Sequence, residues 1–134
     1  MLIVAAAALI DGKNHVLVQQ RPPGGALGGL WEFPGGKLEP QETPVSALVR
    51  ELHEELAIDV DACDLLPFAF ASEPLGERNL LLLLYLCRRW AGSPRPLYAS
   101  AIQWVRPSQL ASLVMPPADR PLVARLIEVW PGTA

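Results

Sequence analysis

Two long runs without a charged residue constrain the fold more than any other feature of this chain. LIVAAAALI occupies residues 2–10, and NLLLLLYLC occupies residues 79–87. Strands that are buried on both faces have continuous apolar sequences of this kind. The run at 79–87 therefore predicts a central strand, and the run at 2–10 predicts a second buried strand.

Turn signals divide the rest of the chain into short elements. Asp11-Gly12 separates the first apolar run from HVLVQQR and predicts a β-hairpin. The Gly- and Pro-rich residues 22–30 predict a loop. We expect a short strand near 65–72, a turn over EPLGERN, and a last strand at AIQWV, residues 101–105.

The clearest helix follows Thr43, which can cap its start, and Pro44, which fits its first turn. Its apolar positions form one stripe with helical spacing, Val45, Leu48, Val49, Leu52 and Leu56. Pro107-Ser108 predicts the start of a short helix. Asp119 is expected to cap a final helix. The residues expected to share a face of that helix are Leu122, Leu126, Val129 and Trp130.

The order of these elements predicts an α/β fold, a mixed β-sheet with helices packed on it. The 134 residues fit a single domain, 1–134, and 51% of them are hydrophobic, which is enough for one core. The net charge of −3 and the pI of about 5.3 argue against a nucleic-acid polymer as partner. A small anionic ligand stays possible if a metal ion or local cations screen it.

The apolar N-terminal run is too short to span a bilayer and lacks the basic start of a signal peptide, so we expect no membrane partner. The cysteines, Cys63 and Cys87, show no CxxC spacing and no disulfide framework. They are interpreted as reduced thiols, mostly in the core, of a cytoplasmic protein.

RELHEEL, residues 50–56, contains the feature that points to function. Glu51, Glu54 and Glu55 crowd one side of the first helix, where like charges repel by ~0.2–0.5 kcal/mol per pair. They also lie near the helix C-terminus, where the macrodipole disfavours anions. Mg²⁺ prefers oxygen ligands of this kind and would turn the repulsion into attraction. The alternative is a solvated acidic helix face without a ligand.

The residues around this cluster resemble the Nudix box, a loop–helix–loop signature. The stretch GGKLEPQETPVSALVRELHEELAI agrees with the signature at the positions Gly36, Glu42, Arg50, Glu51, Leu52, Glu54, Glu55, Leu56 and Ile58. The resemblance implies a Nudix fold, in which a mixed β-sheet is sandwiched between helices (an α/β/α sandwich). WEFPGGK, the strand ending in Arg21, Arg89-Trp90-x-Gly92 and MPPADRP are similar to the MutT branch of the family.

The MutT resemblance implies a pyrophosphohydrolase that uses Mg²⁺ or Mn²⁺ and converts a nucleoside triphosphate to the monophosphate and pyrophosphate. The leading substrate is 8-oxo-dGTP, as in enzymes that sanitise the nucleotide pool for DNA repair. A first alternative is CTP or a modified dCTP. A second is a nucleotide-binding domain that has lost catalysis.

Site residues follow from the same resemblance. Glu51, Glu54 and Glu55, with the Gly36 carbonyl, would hold metal, and one of them or a water they orient would act as general base. Arg50 would orient a carboxylate or simply pair with Glu54 on the surface. The supporting and substrate-binding candidates are Glu42 for the loop, Lys37 for phosphate, and Arg21, Phe33 and Asp119 for the base.

Three positions depart from the family pattern. Ala57 stands where the box has glycine, and alanine in left-handed geometry costs about 1–2 kcal/mol. Gln103 stands where family members often carry a further glutamate before a tryptophan. Asp119 stands where MutT has asparagine. Ionised aspartate only accepts hydrogen bonds, which suits the amine of cytosine, whereas protonated aspartate also donates, which suits 8-oxoguanine.

Overall fold

The computed structural model describes residues 1–130, so the last four residues of the predicted domain lie outside the described part. Within residues 1–130, seven strands form two sheets. The strands are β1 (Leu2–Leu9), β2 (Val16–Gln20), β3 (Trp31–Glu32), β4 (Gly35–Lys37), β5 (Leu66–Leu75), β6 (Arg78–Cys87) and β7 (Ala101–Val105). The helices are α1 (Pro44–Leu56), α2 (Pro107–Leu110) and α3 (Asp119–Val129).

The larger sheet has the order β4-β1-β6-β5, and its two central strands are the two long apolar runs. β1 and β6 pair in parallel, from Leu2 opposite Leu80 to Leu9 opposite Cys87. Because side chains alternate along a strand, the small residues of β1 serve both faces. Ala5 and Ala7 join the core under α1, whereas Ala6 and Ala8 join the core that contains α3. The α/β/α sandwich is therefore confirmed.

The predicted hairpin at Asp11-Gly12 is wrong in its pairing. The turn forms, with the Asp11 amide donating to the His15 carbonyl at 3.0 Å, but only a single bridge joins Ile10 to Val16. β2 then leaves β1 and lies at the centre of a second, antiparallel sheet of order β3-β2-β7. Turn chemistry fixed the reversal of the chain, whereas the sheet partners were fixed by distant strands.

The strand expected near 65–72 is also longer than predicted. β5 continues through Pro74 to Leu75, and only Gly76-Glu77 form the turn to β6. Proline is tolerated there because β5 is an edge strand, where one side of the backbone needs no ladder partner.

The first helix begins and ends as the sequence predicts. The Thr43 hydroxyl accepts from the Ser46 amide, and the Thr43 amide donates to the Ser46 hydroxyl. Pro44 occupies the first turn. Ala57 follows the helix at φ 59° and ψ 33°, the left-handed geometry expected to be strained for alanine. In α3, Leu122 and Leu126 are buried as predicted. Val129 is 49% exposed, which contradicts its predicted place on the buried face. The helix ends at Val129. Trp130 packs against the same core as predicted, and Val123 and Ile127 complete the buried face.

The two cysteines differ in burial. Cys87 is buried at the end of β6, whereas Cys63 is exposed in a single 3₁₀ turn, Ala62–Asp64, so the expectation of two core thiols is wrong for Cys63. Among residues 1–130, each helix is too short or too polar to cross a bilayer.

Candidate active site

Helix α1 presents its acidic residues on the side away from its buried leucines. The side chain of Glu51 is only 15% exposed, whereas that of Glu54 is 56% exposed. Glu55 is half-buried. The three carboxylates therefore lie in a graded environment, from a nearly enclosed one to one that faces solvent.

The short strand β4 brings its backbone directly onto the Glu51 carboxylate. A Cβ atom added to Gly36 would overlap the carboxylate carbon and both carboxylate oxygens of Glu51. A Cβ atom on Gly35 would instead overlap the β1 backbone at Ala5 and Ala6. Glycine at 35 lets β4 approach β1, and glycine at 36 leaves room for the acid.

Arg50 is the centre of an ion-pair network that holds this acidic face. Its Nε and Nη2 atoms donate to Glu42 at 2.8 Å each. Its Nη1 atom donates to Glu51 at 2.9 Å and to Glu54 at 3.3 Å. Its Nη2 atom also reaches the Lys37 carbonyl at 3.2 Å. Arg50 therefore connects two helix carboxylates to the loop before the helix, and its pair with Glu54 is one contact among several.

Glu42 fixes the other end of this network. Besides the Arg50 fork, its carboxylate accepts from the Glu39 amide at 2.8 Å. The hydrogen bonds from Arg50 lower the pKa of Glu42 to about 2, and the Glu39 amide contributes to the same shift. Glu42 is thus ionised at every pH at which the protein is expected to function.

Glu55 has a different partner, which the sequence did not reveal. The Nε2 atom of Gln19, on β2, donates to Glu55 at 3.1 Å and to Glu32, on β3, at 3.4 Å. Burial, together with the charges of Glu51 and Glu32, raises the pKa of Glu55 to about 7, while hydrogen bonds from Gln19 and the Gly35 amide oppose the rise.

Glu32 supplies an acid next to the cluster that we did not predict. It lies within the WEFPGGK stretch and pairs with Arg21 at 3.4 Å. Burial raises its pKa, while Arg21 and Gln19 oppose the rise. Gln103, which stands at the position where an acid was expected, is exposed on β7 opposite Val18. A signal for Gln19 was present, because it interrupts the apolar row of β2 two positions after Leu17.

The three candidates for the base pocket lie near one another. Asp119 is 5% exposed and accepts from the Phe33 amide at 3.3 Å. Phe33 itself is buried in the core, and Arg21 acts electrostatically on Asp119. Burial, with the charge of Glu32, raises the pKa of Asp119 to about 7, while the Phe33 amide and Arg21 oppose the rise.

Asp119 does not cap α3 with its side chain, so that expectation is wrong. Ala118 is the cap residue, and Asp119 is the first residue of the helix. Its carboxylate is turned toward the segment that joins β3 to β4 instead. The last predicted site residue, Lys37, ends β4 with an exposed side chain.

The family is decided by a match over almost the whole chain. The profile of the NUDIX domain matches residues 5–125. The chain belongs to the Nudix family.

Similar proteins place this Nudix chain beside enzymes with two different names. It is 46% identical over 89 residues to an 8-oxo-dGTP diphosphatase of Proteus vulgaris, which covers 66% of this chain and 78% of that protein. It is 34% identical to a CTP pyrophosphohydrolase of Escherichia coli K12, with 91% of this chain and 89% of that protein covered. A solved structure from work on MutT of Aliivibrio salmonicida and Vibrio cholerae superposes with a TM-score of 0.80 at 29% identity, covering 96% of this chain and 98% of that one. The MutT-like resemblance is confirmed.

Nudix hydrolases generally use a divalent metal ion, and the residues of this chain fit one. Their donors are carboxylate and carbonyl oxygens, which suit Mg²⁺, and the space left by Gly36 is filled by a carboxylate. Among residues 1–130, no three acidic, His or Cys side chains converge on one point as metal ligands would. In this arrangement Arg50 and Gln19 engage the glutamates as hydrogen-bond donors.

The end of the Nudix helix is closed by a distant segment. The Leu97 amide donates to the Glu55 carbonyl at 3.0 Å, and the Arg95 amide donates to the Leu56 carbonyl at 2.9 Å. The last carbonyls of a helix lack partners within it. These two bonds satisfy the carbonyls of Glu55 and Leu56 and fix the turn that bears Glu55.

Proposed function

We propose that this Nudix protein is a cytoplasmic pyrophosphohydrolase that converts nucleoside triphosphates to monophosphates and pyrophosphate, with 8-oxo-dGTP as its leading substrate. The observation that supports the proposal is the packing of the Glu51 carboxylate against Gly36, with Arg50 joining it to Glu54. Small nucleotides, rather than a nucleic-acid polymer or a membrane, are the expected partners.

Glu51, Glu54 and Glu55, with the Gly36 carbonyl, would hold Mg²⁺ or Mn²⁺. The bound ion would lower the pKa of a water molecule and offset charge on the phosphates. A carboxylate of this set, or a water that it orients, takes the proton from the attacking water. Arg50 keeps Glu51 and Glu54 in place through its fork with Glu42, and Lys37 binds phosphate oxygens.

Base recognition would fall to the pocket of Arg21, Phe33 and Asp119. With a pKa of about 7, Asp119 is partly protonated near neutral pH. The protonated form accepts a hydrogen bond from the N7–H of 8-oxoguanine and donates one to its O6. This pairing favours the oxidised purine.

The same residue supports the second candidate, CTP or a modified dCTP. Ionised Asp119 accepts only, and the N4 amine of cytosine is a donor. The similarity to a CTP pyrophosphohydrolase adds to this alternative.

A panel of nucleotides, assayed for pyrophosphate release with Mg²⁺, tests the proposal. We expect 8-oxo-dGTP to exceed dGTP and CTP in kcat/KM. A tenfold preference for cytidine nucleotides would replace the first candidate with the second. Metal-dependent nucleotide binding without pyrophosphate release would identify a binding domain that has lost catalysis.

The Asp119→Asn variant sharpens the same panel. Asparagine presents one acceptor and one donor at every pH. Activity on 8-oxo-dGTP is expected to persist in the variant, whereas any activity on CTP that depends on the ionised acid is expected to fall.

A further inference from the structure

Gln19 is a buried polar residue on the face of β2 that also carries Leu17. It lies on β2, two positions after Leu17, and it is 0% exposed. Its register partners are Glu32 on β3 and Ile102 on β7. An uncharged amide at such a position costs free energy unless its hydrogen bonds are made.

The contacts of the amide run toward two acids from different elements. Its Nε2 atom donates to Glu55 on α1 at 3.1 Å and to Glu32 on β3 at 3.4 Å. Its Oε1 atom is buried and has no hydrogen-bond partner among residues 1–130. The acceptor of the amide is thus left without a hydrogen bond, while its donor is directed at the two acids. A loss of this kind without a packing gain is typical of functional positions.

The two acids repel one another, so a donor between them decides how close they stay. The carboxylates of Glu32 and Glu55 both lie within hydrogen-bond distance of the same Gln19 nitrogen. On its other side Glu32 is bound by Arg21 at 3.4 Å, whereas Glu55 has no cationic partner among the ion pairs of residues 1–130. Gln19 is therefore the side chain that hydrogen-bonds the Glu55 carboxylate, beside the backbone amide of Gly35.

We propose that Gln19 is a positioning residue that orients Glu55 for metal and keeps Glu32 beside it, an inference that rests on the proposed function. Groups that hydrogen-bond a metal ligand typically change metal affinity by about 10–100-fold when they are replaced. Gln19 joins the three-stranded sheet to the metal-binding helix, since it is the residue of β2 that contacts an acid of α1.

The test measures Mn²⁺ binding to the full chain without nucleotide, by electron paramagnetic resonance. Gln19→Met keeps the volume and removes the donor, and Gln19→Leu removes the donor with a branched apolar side chain. Both are expected to weaken Mn²⁺ binding by about 10-fold or more. The matched control is Gln20→Met, because Gln20 faces the other way and donates to the Gly29 carbonyl at 3.1 Å. That control is expected to bind Mn²⁺ like the wild type.

Kinetics and a double variant separate positioning from packing. The metal concentration for half-maximal activity is expected to rise in Gln19→Met, with KM for nucleotide changed less than threefold. Adding Glu32→Gln places an amide beside Glu55 and removes the repelling charge, so part of the metal affinity returns. Melting in EDTA shows that each variant is folded, and Gln19→Leu replaces Gln19→Met if the latter does not fold.

Wild-type Mn²⁺ affinity in both Gln19 variants would overturn the inference and leave the proposed function standing. Absence of partial recovery in the double variant would overturn the bridge to Glu32. Failure of the wild-type protein to bind Mn²⁺ and to release pyrophosphate would overturn the proposed function itself.

Discussion

Arg50 and Glu42 form a two-pronged ion pair in which two guanidinium nitrogens each lie 2.8 Å from a carboxylate oxygen. A lysine keeps the charge but cannot form this fork. Arg50→Lys is therefore expected to lower kcat/KM by about 10–100-fold, because the proposed metal ligands Glu51 and Glu54 lose their anchor. Pyrophosphate release at several Mg²⁺ concentrations measures the effect. The exposed pair of Arg125 with Glu128 provides the control, and Arg125→Lys is expected to change nothing beyond error.

Glu54→Gln separates metal chemistry from folding. Glu54 is 56% exposed and its contact in the network is Arg50, so the variant should retain its melting temperature within error. Turnover is expected to fall at least about 100-fold, since a charged ligand is lost. Stabilisation by millimolar Mg²⁺, seen as a higher melting temperature in the wild type, should shrink as well. Glu128→Gln, an exposed acid on α3, is the control, and turnover by Glu54→Gln at the wild-type rate would refute the ligand assignment.

Gly36→Ala tests the close approach of β4 to the acid. The new methyl group would occupy the place of the Glu51 carboxylate, which must then move. We expect Mg²⁺ affinity to fall about tenfold or more, as when a metal ligand is displaced from its support. Isothermal titration with Mg²⁺ measures this. A Cβ atom at Gly12 would meet no atom within 4 Å, so Gly12→Ala should bind as the wild type does.

Ala57→Gly should stabilise the protein. Ala57 adopts φ 59° at the end of α1, where glycine avoids a cost of about 1 kcal/mol. For a chain of this length the melting temperature should rise by roughly 3–5 °C. The same replacement at the exposed Ala124, inside α3, should lower stability by about 1 kcal/mol. If both replacements changed the melting temperature in the same direction and by the same amount, the left-handed geometry of Ala57 would not be the cause.

Asp119 should make the stability of the protein depend on pH. Its pKa is about 7 in the folded protein and 3.8 without burial. Below pH 4 both states hold the proton and the residue costs nothing. As the pH rises from 4 to 7, the unfolded chain releases the proton more readily, so the folded state loses stability, and the loss is constant above pH 7.

Asp119→Asn removes this loss, because asparagine does not ionise and can still accept from the Phe33 amide. The gain should be near zero at pH 4 and up to about 4 kcal/mol at pH 8. Urea denaturation at a series of pH values measures it. Glu77→Gln, at an exposed turn, should show no such trend, and a gain that is equal at pH 4 and pH 8 would contradict the raised pKa.

Local pattern was enough for the elements whose structure is determined within one segment. The unbroken apolar run at 79–87 predicted a strand with both faces covered, and the Thr43-Pro44 pair predicted the start of α1. The glutamate spacing predicted which residues share the outer face of that helix. In each case the cause is backbone geometry or burial within a few turns of chain.

The errors concern contacts between distant segments. Asp11-Gly12 reverses the chain, but β2 pairs with β7 rather than with β1. Asp119 resembles a helix cap in sequence, yet its carboxylate binds the Phe33 amide, 86 positions away. Glu32 and Gln19 were missed for the same reason, because their role depends on helix α1, which is distant from both residues in the sequence.

The crossing of residues 31–37 from one sheet to the other has a consequence for how such a pocket can diversify. Trp31 and Glu32 pair with β2, whereas residues from Gly35 onward pair with β1. Phe33, which contacts Asp119 through its amide, therefore lies in the short connection between the two sheets. Under the proposed roles, substitutions near Phe33 change which base is preferred, whereas substitutions at Gln19 or Glu32 of the three-stranded sheet also reach the metal site through Glu55.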